Sequence, residues 1–438
     1  MQIVIHRGTH EIGGTCVEIK SKNSRIIVDL GIPLTDPKDK KKKFDNRILR
    51  NKTIPELLRE GILPKVIGLY EGYPDEKPVN AVLISHPHQD HYGFCSYVRR
   101  DVPIVLGEDT AKMLKVSDVF LNKLFSGHDH MVSLKKGQGV IGDIRVKSYL
   151  MDHSGYGAMA FLIEADGKRL FYSGDFRAHG RKGILFERFL KNPPKKVDAL
   201  LMEGTMLGRA GERARTEDEL ELAITKKASE HSGYKFFICS GQNVDRIVTF
   251  YRAAKRSCAI FVMDLYITNV IYELGRKSLP CPTNGFKDVR VLFTKHFMKS
   301  LSRKDKKGWY TRWRDYEIRP EELSRYGGKV FMAYRDSSIP EIEKAGVPSD
   351  SVLFYSQWHD YMKEPSFGIT REFMQKHTIT RAEEHTSGHA PIEDLKRLAK
   401  AIDPRQYIIP IHTDKPDKFR EYFGEKVMVL SDEQLVNL

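Results

Sequence analysis

No stretch of this 438-residue chain approaches the roughly 20 consecutive apolar residues that a membrane-spanning helix needs. Its opening, Met1-Gln2-Ile3-Val4-Ile5-His6-Arg7-Gly8, lacks the apolar core of a secretory signal. Both absences argue against a membrane protein and lead us to expect a cytoplasmic one. Cysteine is scarce as well. Cys16, Cys95, Cys239, Cys258 and Cys281 are odd in number, scattered and never spaced C-x-x-C. That pattern excludes a disulfide framework and a cysteine zinc site, and predicts reduced, mostly buried thiols. Internal repeats are absent too.

What the chain does have is length beyond one hydrophobic core, so two compact units, or one with a large insertion, are expected. Forty per cent of its residues are hydrophobic and its mean hydropathy is -0.44, values of a globular enzyme. Lys and Arg number 72 against 58 Asp and Glu, a net charge of +14. Such an excess favours a polyanionic partner, although many basic proteins bind nothing acidic in particular.

The first two hundred residues read as short apolar runs cut by Gly, Asp and Asn, as in Thr15 to Ile19, Arg25 to Asp29, Ala81 to Ser85, Ile144 to Tyr149, Met159 to Glu164 and Arg169 to Ser173. This is a sheet-rich region. Asp29, His86, His153 and Asp175 sit at its strand ends, where a rigid scaffold displays functional groups. From Thr216-Glu217-Asp218-Glu219, a capping box opening a helix to about Ser229, helices and strands alternate. The runs Lys235 to Cys239, Ala259 to Met263, Val289 to Phe293, Lys329 to Met332 and Val352 to Tyr355 lack clean apolar alternation, as strands covered on both faces do. A parallel sheet follows. The run Lys38-Asp39-Lys40-Lys41-Lys42-Lys43 reads as a solvated loop. The stretch Lys295 to Tyr316 mixes Lys299, Arg303, Lys304, Lys306, Lys307, Arg312 and Arg314 with Trp309, Tyr310, Trp313 and Tyr316. It fits either phosphate contact with base stacking or a surface helix whose aromatics face inward.

The strongest local signal is Ser85-His86-Pro87-His88-Gln89-Asp90-His91, in which an apolar strand runs into H-x-H-x-D-H. Imidazole and carboxylate suit zinc and neighbouring divalent ions. On an extended tip His86 and His88 point to one side, and Asp90 and His91 then turn toward a second ion. Isolated His128, His130 and His231 read as structural or surface residues. Three imidazoles and a carboxylate at one point have no packing rationale. Downstream, Met151-Asp152-His153-Ser154-Gly155, Ser173-Gly174-Asp175-Phe176-Arg177 and Ile409-Pro410-Ile411-His412 each end a strand in one further ligand. Seven ligands suffice for two ions if one carboxylate bridges.

The order of these motifs resembles the metallo-β-lactamase superfamily over nearly the whole chain. The resemblance implies an αββα sandwich in which His86, His88 and His153 hold one ion, Asp90, His91 and His412 the other, and Asp175 bridges. Asp29 in Ile27-Val28-Asp29-Leu30-Gly31 then supports the ligands from behind. Three later segments are similar to the β-CASP branch: Leu200-Leu201-Met202-Glu203-Gly204-Thr205, His385-Thr386-Ser387-Gly388-His389-Ala390, and the strand ending in His412. The implied organisation is a metallo-β-lactamase domain over 1–206, an inserted α/β domain with a parallel sheet over 207–370, and a return to the first domain over 371–438. Histidine at 412 resembles the RNA-directed members, and Phe237 to Arg246 resembles the ribonuclease J type.

What this implies is an RNA phosphodiesterase, acting internally or from the 5′ end. Two divalent ions, zinc foremost with manganese open, would activate a hydroxide for in-line attack. Asp90, Glu203 and His389 are the catalytic candidates. His389, positioned by Glu203, would protonate the leaving oxygen. Ser387 and Gly388, expected just before a helix start, and Ser240 are the substrate-binding candidates, Ser240 fitting a turn serine equally well. RNA is the expected partner and a homodimer stays open. A DNA nuclease of the same branch, a small-molecule metallo-hydrolase and a non-catalytic RNA-binding descendant are the competing readings. Thr413-Asp414 departs from the Gly-Glu frequent after the last histidine.

Overall fold

The computed structural model describes residues 1–73, 79–121, 131–134, 137–208 and 213–438; His128 and His130 lie outside them. Apolar strands at the two ends of the chain build two sheets. The first has seven strands in the order Leu435–Asn437, Gln2–Arg7, Cys16–Lys20, Arg25–Val28, Ala81–Leu83, Ile104–Val105, Met131–Val132. The second has six, in the order Tyr407–Ile411, Ala199–Glu203, Lys168–Tyr172, Met159–Ala165, Ile144–Leu150, Gln138–Ile141. Ile5, Val17, Ile26, Val28 and Leu83 of the first face Val146, Phe161, Ile163, Leu170, Leu201 and Ile409 of the second in one buried layer. Each such side chain contributes roughly 1.5–3 kcal/mol by leaving water.

Helices cover both outer faces. Leu57, Leu58 and Leu114 pack on Ile27 and Val82, while Phe186, Phe189, Leu395 and Leu398 pack on Leu162, Phe171 and Leu200. The layering is αββα, as the resemblance implies. Parallel pairing sets its functional edge: Val28 lies opposite Leu83, Tyr172 opposite Leu201, and Glu203 opposite Ile411. Asp29, Ser85, Asp175, Glu203 and His412 therefore emerge at one rim.

Between these halves lies the inserted sheet, seven strands long and parallel throughout, in the order Glu317–Ile318, Val289–Leu292, Ile260–Asp264, Val330–Ala333, Lys235–Ile238, Val352–Tyr355, Thr380–Glu383. Phe237 stacks on Phe250 at 4.4 Å and on Phe261 at 5.4 Å. Thr216 caps the helix Glu217–Ser229, with Glu219 reaching back to the Thr216 amide, as the sequence predicts. All five cysteines are free thiols and only Cys258 is exposed.

Three expectations change. The strand Thr380–Glu383 pairs with Val352–Tyr355, so the insert runs past residue 370 and the chain returns to the first domain after Glu383. Lys38 to Lys43 is no loop: Asp39–Lys43 pairs with Thr35–Asp36 in a two-stranded hairpin. A strand exposed along its length carries no apolar alternation to betray it. The aromatics of 295–316 turn inward. Trp313 is fully buried with its indole N–H donating to Asn269, and Trp309, Tyr310 and Tyr316 pack on the same core. Trp313 is thereby closed to base stacking, whereas Trp309, Tyr310 and Tyr316 are half-buried.

Candidate metal centre

The strand Ala81–Leu83 stops at the rim, and the chain bends at His86 and Pro87, with His88 extended, before one helical turn, Gln89–Tyr92, reverses it. His86 and His88 are thereby presented ahead of the turn, Asp90 and His91 from it. Gly31 lets that turn pack close, since a Cβ there would meet the Asp90 carbonyl at 1.6 Å. His153 follows Ile144–Leu150, Asp175 follows Lys168–Tyr172, and His412 follows Tyr407–Ile411. Asp29 and His412 hold left-handed backbone, φ 58 and 54. Non-glycine residues persist in that region where surrounding structure compels them, and sites are where this happens most.

Four of the five rings, all but His88, are held from behind. Ser85 Oγ meets His86 Nδ1 at 3.0 Å, and the Gly388 carbonyl accepts from His153 Nδ1 at 2.5 Å. His91 Nδ1 lies 2.8 Å from Asp29 Oδ2, and His412 Nδ1 lies 2.8 Å from Thr15 Oγ1. Asp29 in turn accepts from the Ser85 amide at 2.7 Å and the Tyr172 hydroxyl at 2.6 Å. The opposite nitrogens converge. His88 Nδ1 lies 3.1 Å from both His86 Nε2 and His153 Nε2. A tetrahedral ion with bonds of about 2.0–2.1 Å needs donors about 3.3 Å apart, so these three fit one. Asp90, His91 and His412 form a second group, with Asp90 Oδ2 3.8 Å from His91 Nε2 and 3.7 Å from His412 Nε2. Asp175 Oδ2 stands between them, 3.1 Å from His91 Nε2, 3.6 Å from His86 Nε2 and 3.7 Å from His412 Nε2.

Chemistry agrees with geometry. His91 Nε2, Asp175 Oδ2 and His412 Nε2 are buried and make no hydrogen bond, which is costly unless something else coordinates them. Burial pushes His86 and His153 well below the usual imidazole range, brings His88 to about 4 and lowers His412. Neutral imidazole is the metal-binding form. His91 differs: against burial, Asp175, Asp29 and Asp90 hold it well above its usual value.

His389 stands beside the ligands, its ring 5.1 Å from His153 and 5.8 Å from His412. Its Nδ1 lies 3.1 Å from Glu203 Oε2, and buried Glu203 also accepts from the Phe176 amide at 3.1 Å. Although burial favours the neutral ring, Glu203 and Asp175 lift His389 to about 9.

The three substrate-binding candidates look different. The helix after His389 begins only at Ile392, so Ser387 and Gly388 do not form its amino end. Ser387 Oγ accepts from the His389 amide at 3.0 Å, and its carbonyl accepts from Arg177 and His179. Gly388 approaches so closely that a Cβ would meet Ser154 Oγ at 2.4 Å. Ser240 Oγ accepts from the Gln242 amide at 3.3 Å, while Asn243 caps the helix Val244–Arg256. His231, largely buried, pairs with Asp350 at 2.8 Å, a structural role as expected of it.

Sequence reasoning missed Thr15, Ser85 and Tyr172, which hold the site, and a buried network around Arg177. Arg177 meets Asp245 at 2.9 Å, Glu217 at 3.4 Å and Asp152 at 3.5 Å. Arg246 meets Glu217 at 3.0 Å. A buried tyrosine at 172 needs a partner and gave some signal; the partners of Arg177 are distant in sequence and gave none.

Residues 11–204 match the metallo-beta-lactamase superfamily, and residues 381–430 match the Zn-dependent metallo-hydrolase RNA specificity domain. The chain belongs to the metallo-β-lactamase superfamily. The inserted parallel sheet is built largely from residues between the two matched segments. Relatives include an RNase J-like protein of Methanocaldococcus jannaschii, 23% identical over 46% of this chain and 41% of that protein. Another is ribonuclease J of Mycoplasma genitalium, 22% identical over 92% of this chain and 66% of that protein. The chain thus spans less than two thirds of either relative. A crystal structure of a protein of unknown function from Enterococcus faecalis V583 shares the fold, with a TM-score of 0.80 at 21% identity over 100% of this chain and 99% of that one. Among the described residues no helix is long and apolar enough to cross a membrane.

Proposed function

We propose that the chain is a metal-dependent ribonuclease that hydrolyses RNA phosphodiester bonds at this centre. The observation that carries the reading is the convergence of seven imidazole and carboxylate groups with three buried donor atoms lacking hydrogen bonds. His86, His88 and His153 would hold one divalent ion, Asp90, His91 and His412 the other, with Asp175 between. Zinc suits this donor set, and manganese fits the same shell. Bound there, the ions supply an activated water and offset charge on the phosphate.

The chain's own residues do the rest. Asp29, Thr15, Ser85 and the Gly388 carbonyl fix the rings. Glu203 holds the proton on His389 Nδ1, which leaves Nε2 to protonate the departing ribose oxygen. RNA as substrate is supported by the matched specificity segment and by the names its relatives carry.

The test pairs elemental analysis of purified protein with cleavage of a 5′-labelled RNA and its DNA counterpart. Close to two ions per chain and cleavage of RNA alone are expected; cleavage by metal-free protein, or of DNA alone, overturns the reading. The ladder from the labelled end separates internal from terminal cutting.

A further inference from the structure

Two segments that the reaction does not use border the metal centre. One is the hairpin ending in Asp39–Lys43. It is rooted beside Asp90: a Cβ on Gly13 would lie 2.5 Å from Leu34 Cγ and 3.3 Å from Asp90 Cβ, and the Phe44 amide closes the hairpin on the Leu34 carbonyl at 2.9 Å. Along it Lys40, Lys41 and Lys42 are exposed. The other, from the insert, is the single turn His359–Lys363 after the strand Val352–Tyr355. The two meet, with Lys43 Nζ 2.6 Å from Glu364 Oε1 and 4.9 Å from the centre of the Tyr361 ring.

Tyr361 is 41% exposed and Trp358, three residues before it, 38%. Single exposed aromatics are ordinary. Here two occur together beside a lysine strand, at the rim of a phosphate-cleaving centre. Lys43 pairs with Thr35, next to the Leu34 that is rooted beside Asp90, so the hairpin brings the Tyr361 ring to the side of the molecule that carries a metal-ligand candidate. Single-stranded nucleic acid is held by this pairing of flat rings for bases with cations for the backbone.

We infer that Tyr361 is a stacking platform for a base of the RNA strand next to the scissile phosphate, with Trp358 beside it and Lys40 to Lys42 receiving the adjoining phosphates. The inference rests on the ribonuclease reading. It supplies the sequence-tolerant grip that the fully buried Trp313 does not.

The test uses the full chain carrying His389→Ala, to keep RNA intact, and a short RNA with 2-aminopurine walked through each position. Quenching at one position is expected, lost in Tyr361→Ala and restored in Tyr361→Phe, which keeps the ring. In the otherwise native enzyme, Tyr361→Ala should lower kcat/KM about tenfold, carried by KM, and an abasic nucleotide at that position should erase the difference. Binding without quenching at any position, or Tyr361→Ala with unchanged quenching and KM, overturns the inference. Failure of the native protein to cleave RNA strikes the ribonuclease reading instead, and the fluorescence still decides the stacking.

Discussion

Two buried clusters of charge lie side by side in this molecule and are built on opposite principles. In the network of Asp152, Arg177, Glu217, Asp245 and Arg246, guanidinium meets carboxylate throughout. Thr249 adds a hydroxyl to Glu217 at 2.7 Å, and backbone carbonyls of Ser356, Thr386 and Ser387 take remaining donors. In the histidine cluster, buried nitrogens and a carboxylate oxygen face one another with no hydrogen bond. A buried charge is tolerated when paired, so the first cluster explains itself. The second makes physical sense only with something between its donors. Satisfaction, rather than charge or burial, separates the joint from the site.

The largest effect that would break this contrast comes from Asp175. Asp175→Ala removes the atom shared by both ligand groups and should lower metal content and cut activity by about a hundredfold or more, read by elemental analysis and turnover. Glu217→Gln should do the reverse, leaving metal content alone and destabilising the fold by about 3–5 kcal/mol, because Arg177 and Arg246 keep their charges and lose their partner. Arg246 and Arg177 hold the Glu217 carboxyl far below its usual value against burial. A depressed folded pKa means stabilisation present above the usual carboxylate range and lost as pH falls, so the gap between native and variant should close in acid. Denaturant titrations at two pH values check this. Metal loss in Glu217→Gln with unchanged stability would invert the comparison.

The site was more legible in the sequence than the joint, for a physical reason. Ligands must sit at strand ends at short fixed spacings, and His86 to His91 compresses four of them into six residues. Helix starts also announce themselves locally, as Thr216 and Glu219 do. What escaped depended on distant contacts. Arg177 and Glu217 are forty residues apart, and nothing near either names the other. Whether Trp313 faces water depended on Asn269 and the core behind it. The lysine hairpin escaped because an exposed strand needs no apolar pattern.

A smaller effect sharpens the contrast inside the site. His389→Ala should keep the metal and lose about a hundredfold in turnover, the usual scale of general acid catalysis. Because Glu203 and Asp175 lift His389 to about 9, the acid form prevails below that pH. The kcat/KM profile should therefore fall as pH rises through about 9, and Glu203→Gln should move that limb to lower pH. A limb unmoved by Glu203→Gln would detach His389 from proton transfer.

The smallest effect tests whether the two clusters communicate. They meet at Ser387 and Gly388: the Ser387 carbonyl accepts from Arg177 at 3.1 Å and His179 at 2.8 Å, and the next carbonyl accepts from His153. Burial, then Arg177, lowers His179 to about 4, so its ring is neutral near pH 7 and Nε2 is the donor. His179→Ala removes one of the two donors that hold this carbonyl, a neutral hydrogen bond of about 1 kcal/mol. If the loop merely fills space, only stability falls. If it carries His389 and the His153 partner into register, turnover should fall about fivefold with metal content unchanged. Combined with His389→Ala, the loss in turnover should then be less than additive, because residues acting through one another couple. Full additivity would mean that the joint holds the domains together and leaves the chemistry alone.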